Sequence, residues 1–66
     1  MLSARNQFKG VVKSVTKGGV MAEVVIVVGH LEFVSAITRT SAESLELKVG
    51  DEVRAIIKST EVLIDK

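Results

Sequence analysis

The chain has 66 residues, 47% of them apolar, with a formal net charge of +1, so it forms at most one small domain whose folding hides only ~60% of the surface its unfolded form exposes. With no Cys and a single His, disulfides, a zinc cluster and Cys- or His-centred catalysis are all excluded as organising features. The near-neutral charge gives no global pull toward nucleic acid or anionic membrane, and no apolar run approaches the ~20 residues of a membrane span.

The remaining way to cover so much Val and Ile is association with copies of itself, so an obligate homo-oligomer is expected. The N-terminus, Met1 to Gln7, lacks the apolar segment of a signal peptide. Together with the absence of Cys this makes the cytoplasm the expected location.

Ser3-Ala4-Arg5-Asn6-Gln7 is polar, without helix or strand period, and four of its five side chains can donate hydrogen bonds. A strand is predicted over Phe8–Thr16, where Gly10 marks a bulge or a close backbone approach. Lys17-Gly18-Gly19 reads as a turn. Val20–Val28 is dominated by β-branched residues and broken only by Glu23, which predicts a strand covered on both faces, the second by a neighbouring subunit. Gly29-His30 is a two-residue hairpin signal, and the one imidazole sits in it as a solvated side chain.

Leu31–Thr38 returns as a strand with Leu31, Phe33, Ser35 and Ile37 on one face. The period then changes. Thr40-Ser41-Ala42-Glu43 matches a capping box, predicting a short helix from Ser41 to about Leu45. Leu45 and Leu47 are expected to tuck under it, and Lys48-Val49-Gly50-Asp51 turns the chain into a final strand pair, Glu52–Lys58 and Glu61–Ile64. The order strand, strand, strand, short helix, strand, strand predicts a mainly β fold: a five-stranded OB-like Greek-key barrel with one short helix between strands 3 and 4.

The chemistry gathers at element ends. Val53–Thr60 begins as a buried strand and ends in one ammonium and two hydroxyls, Lys58, Ser59 and Thr60. Thr38 and Ser41 flank the helix start, and Ser3, Ala4 and Arg5 open the chain. Each group taken singly reads as a cap or a solvated charge. Taken together they are donors with no carboxylate among them, which suits a small anion better than a metal cation or a base edge.

The opening Ser3-Ala4-Arg5-Asn6-Gln7, followed by a Lys-Gly-Val-Val strand, resembles the N-terminal signature of the molbindins, or Mop proteins, small molybdate- and tungstate-binding proteins with a TOBE-like domain. Ala36-Ile37-Thr38 with Ser41, Val49-Gly50-Asp51-Glu52-Val53 and Ile57-Lys58-Ser59-Thr60 extend the resemblance over the whole chain. It implies subunits that exchange strands, a hexamer built as a trimer of dimers, and oxyanions held at subunit interfaces. The implied main site takes Ser3, the Ala4 backbone N–H and Arg5 from one subunit, and Thr38, Ser41, Lys58 and Ser59 from its partner. A second kind of site near the threefold axis is also implied, with residues the sequence does not place. No cofactor is expected, the ligand being molybdate or tungstate itself. Storage, buffering or delivery of that oxyanion is the expected role.

Two other classes fit less well. A nucleic-acid-binding OB module stacks bases on aromatic platforms over a basic groove, and this chain has two Phe, no Tyr and no Trp. A swapped-hairpin transcription factor is suggested only by Leu47–Val53, a turn signal without a basic arm. No enzyme is expected, because the carboxylates are scattered over exposed segments and face no nucleophile.

Overall fold

The computed structural model describes residues 5–66; the expected ligand residues Ser3 and Ala4 lie outside them. Four strands form one antiparallel sheet: β1 (Asn6–Lys17), β2 (Met21–Val28), β3 (Leu31–Thr38) and β4 (Glu52–Ile57), in the order β3-β2-β1-β4. One helix, α1 (Arg39–Ser44), lies between β3 and β4, and a 3-10 turn follows at Ser59–Glu61.

β1 organises the sheet because it serves two partners in succession. Its residues from Asn6 to Val11 pair with β4, and those from Val11 to Lys17 pair with β2. At the hand-over the backbone of β1 lies tight against β2. A Cβ on Gly10 would meet the Val27 carbonyl oxygen at 2.6 Å and the Ile26 side chain at 2.7 Å. Gly10 therefore marks a close approach, and the ladder irregularity comes later, between Val12 and Ser14. There Lys13 faces outward and its ammonium lies 2.6 Å from the Glu32 carboxylate.

The core follows the period-2 alternation of the strands. Val12, Ala22, Val24, Ile26 and Ala55 are buried, with Val15, Val28, Phe33, Ile37, Leu47 and Val53 packed against them. On β2 the alternation is strict over Ala22, Val24 and Ile26, while Met21 is exposed and Val25 and Val27 are half-buried. One chain thus covers one face of this strand rather than two. Gly29, at φ +61°, turns β2 back into β3 as the hairpin signal predicts.

Three other expectations change. The helix begins earlier than the Thr40–Glu43 pattern suggests. Thr38 is the N-cap and its hydroxyl accepts the Ser41 N–H at 3.1 Å, because the β2–β3 ladder holds Thr38 extended up to the first helical residue. At the other end of α1, Leu47 N–H donates to the Ala42 carbonyl and Glu46 N–H to that of Glu43. This is a Schellman closure with Glu46 left-handed at φ 53°. The reversal turns Leu47 inward and leaves Leu45 exposed.

The predicted strand at Glu61–Ile64 makes no ladder, so the sheet has four strands rather than five. Its apolar residues have no place on this sheet: Leu63 and Ile64 are each 92% exposed. No helix is long and apolar enough to cross a membrane among the described residues.

Candidate functional site

The expected ligand residues that lie within the described chain, Arg5, Thr38, Ser41, Lys58 and Ser59, fall at the two ends of β1. At the Asn6 end, β4 runs antiparallel with Asn6 opposite Ile57, and the Asn6 side-chain amide donates to the Ile57 carbonyl at 3.2 Å. The next positions outward are Arg5 and Lys58, two exposed cations brought to the same edge. No ion pair among the described residues involves either one. Ser59 follows as the first residue of the 3-10 turn, with its side chain exposed.

At the Lys17 end the groups are hydroxyls. Met21 pairs with Thr38 in the β2–β3 ladder, which sets the end of β3 beside the β1–β2 turn. The Thr38 and Ser41 hydroxyl oxygens lie 2.8 Å apart, and Thr38 Oγ1 also accepts the Ser41 N–H. One hydroxyl proton is used between the two oxygens, so the pair retains one O–H to donate outward. Both residues are exposed.

A network that the sequence reading assigned no role holds this second group. Arg39 donates its backbone N–H to the Val20 carbonyl at 2.7 Å. Its guanidinium reaches the Gly18 carbonyl at 3.1 Å and the Glu43 carboxylate at 3.3 Å. Lys17 approaches the same carboxylate oxygen at 3.9 Å. The Arg39–Glu43 spacing of four becomes a helical pair only because α1 begins at Arg39, and the link to Gly18 depends on the turn lying beneath α1.

Within one chain the register separates the described members of the predicted set. Lys58 and Ser59 stand with Arg5 at one end, and Thr38 and Ser41 at the other. Neither group coincides with an open hollow of ≈ 480 Å³ on the outer β1–β4 face beside Lys9, Val11, Glu52 and Arg54. That hollow combines a carboxylate with two cations, a poor match for a proton-free anion. A second cavity of ≈ 170 Å³ opens from the core between Ile37, Leu45, Leu47 and Val53. It is the unfilled mouth between the β3 and β4 sides of the sheet.

Residues 2–64 match the TOBE domain family. The chain is 50% identical over 64 residues to Molybdenum-pterin-binding protein 3 of Clostridium pasteurianum, spanning 96% of this chain and 94% of that protein. Its backbone is similar to that of a molybdate binding protein from Sporomusa ovata, with a TM-score of 0.95, 41% identity and coverage of 100% of this chain and 98% of the other. It is also similar to ModG, described as a cytoplasmic molybdate-binding protein and seen with molybdate bound. There the TM-score is 0.85 at 44% identity, over 88% of this chain and 42% of that one.

Proposed function

The chain belongs to the TOBE domain family, with the small molybdenum-binding Mop proteins, and from that premise we propose that it binds molybdate, with tungstate as a close second. The observation that carries this reading is likeness along the whole chain, in sequence and backbone together, to molybdate-binding proteins. Storage or homeostasis of the oxyanion in the cytoplasm is the role that fits. Among the described residues no nucleophile–base pair suggests catalysis.

Molybdate at neutral pH is a fully deprotonated tetrahedral dianion, so its oxygens only accept hydrogen bonds. The donor set Ser3, Ala4 N–H, Arg5, Thr38, Ser41, Lys58 and Ser59 matches that demand. Phosphate carries a proton near pH 7 and needs an acceptor that such a set withholds. Sulfate is as proton-free but smaller, and is discriminated by cavity size. Charge-assisted hydrogen bonds contribute roughly 1.5–3 kcal/mol each, so about five reach the ~8 kcal/mol of micromolar binding after ordering costs.

The site is completed between copies. One chain holds its cations and its hydroxyl pair at opposite ends of β1, so the cation end of one copy meets the Thr38–Ser41 end of another. The exposed Val62, Leu63 and Ile64 favour the same assembly. Laid along the open mouth of a partner, this segment supplies the fifth strand of an OB-like barrel and covers Leu45 there. A hexamer of three such dimers is the assembly this reading expects.

A base-binding module is disfavoured because Phe8 and Phe33 pack edge-on against each other, centroids 5.3 Å apart, rather than forming a stacking platform. Native mass spectrometry with and without molybdate tests the proposal. An oligomer that gains anion mass with molybdate or tungstate is expected. A monomer that ignores both oxyanions contradicts it.

A further inference from the structure

We infer that Arg39 is a positioning residue for the oxyanion site: it fixes the Thr38–Ser41 hydroxyl pair by clamping the start of α1 to the β1–β2 turn, and does not itself touch the ligand. The inference rests on the molybdate reading above.

Three contacts converge on this one residue. Its backbone N–H carries the β2–β3 ladder one step past the Met21–Thr38 pair, to the Val20 carbonyl. Its guanidinium spans the Gly18 carbonyl on one side and the Glu43 carboxylate on the other. The fork therefore joins the turn to a residue one helical turn further along α1, and Lys17 adds a second link from the turn to the same carboxylate.

Helix stability does not explain an arginine here. It occupies the first position of α1, where a cation opposes the helix dipole, and the first turn has no acidic residue to offset it. The pair to Glu43 runs from base to acid along the chain, the weaker orientation for a spacing of four. Both side chains are close to half exposed, and exposed ion pairs add little to folding.

Orientation is another matter. A helix of six residues does not hold itself, and Ala42 is its one buried residue. The clamp supplies a second fixed point, and it acts on the residue directly after Thr38 and two before Ser41. Without it Ser41, carried on α1, shifts relative to Thr38, which the β2–β3 ladder holds, while the fold persists.

The test is calorimetric titration of the intact oligomer with molybdate, and separately with sulfate, on the wild type and the variants Arg39→Gln, Arg39→Lys, Glu43→Gln and Thr38→Val. Arg39→Gln and Glu43→Gln should each weaken molybdate binding about fivefold, the scale of an exposed pair. Both should lower the molybdate-to-sulfate ratio and leave the melting temperature unchanged. Arg39→Lys should recover part of the loss, since an ammonium reaches one of the two acceptors but cannot fork between them.

Glu43→Gln separates positioning from contact. It removes a negative charge and frees the guanidinium, so if Arg39 were a ligand or acted through its field, binding would tighten. Tightening overturns the inference, as does a molybdate-to-sulfate ratio unchanged in both variants. Should Thr38→Val weaken binding while Arg39→Gln and Glu43→Gln match the wild type, the inference fails and the molybdate reading stands. Should the wild type bind no molybdate, both fail.

Discussion

The two ends of β1 differ in how far a single chain completes them. At the Lys17 end, Thr38 and Ser41 are capped, hydrogen-bonded to each other and tied through Arg39 and Glu43 to the turn beneath. At the Asn6 end, Arg5 and Lys58 come to one edge with no ion-pair partner among the described residues. One half of the proposed donor set is arranged in advance by the fold, and the other stands exposed at the strand ends. On the proposed reading, a dianion would gain Coulomb energy from the second half and lose little entropy in ordering the first.

The harshest way to break this contrast is to disturb the strand that holds the ends apart. Gly10→Ala drives a methyl group into the Val27 carbonyl and should cost about 3 kcal/mol in urea unfolding. A loss below ~1 kcal/mol means that β1 and β2 are not in tight contact there.

Next in size is the cation end. Lys58→Ala should weaken molybdate binding by roughly tenfold to a hundredfold, the worth of one charge-assisted hydrogen bond, with the unfolding midpoint unchanged. Calorimetric titration beside a denaturation curve reads both quantities, and unchanged affinity removes Lys58 from the site.

The prearranged end responds differently, because its groups serve the fold as well. Thr38→Val loses the N-cap and should lower stability by about 1 kcal/mol while also weakening molybdate binding. An effect on binding with none on stability would erase the distinction between the two ends.

The smallest effect sharpens it from outside the site. Glu46→Gly relieves a left-handed residue at the end of α1 and should raise stability by about 0.5–1 kcal/mol, with molybdate affinity unaltered. A thermal melt detects the gain, and a fall in stability would show that the Glu46 side chain holds the closure together.

Much of this was legible in the chain and some was not, for physical reasons. Strand positions followed from β-branched alternation, and the Gly29 hairpin from its turn chemistry, since both are local. The close approach at Gly10 was one of two readings, because a glycine in a strand is silent about what lies over it. The helix start was misplaced by two residues: Thr40–Glu43 satisfies the capping pattern, yet the sheet holds Thr38 extended and makes it the cap. Glu61–Ile64 reads as a strand by composition but finds no edge within its own chain. The proposed donor residues rest on their types and the family resemblance. Their division between the ends of β1 follows from neither, because it depends on a register that only the folded sheet sets. Arg39 carries no ligand role in the sequence reading, and its part in the network was not legible because its acceptor is the backbone carbonyl of Gly18, which no side-chain pattern announces.

The central claim is that the cation end of one copy and the hydroxyl end of another form one site. Mixed oligomers test it most directly. Thr38→Val and Lys58→Ala chains, each weak in molybdate binding alone, are unfolded together, refolded as a mixture and titrated. The account predicts that wild-type affinity returns at a fraction of the sites, where an intact Thr38 of one chain faces an intact Lys58 of the other. A mixture that binds no better than either variant by itself would contradict it.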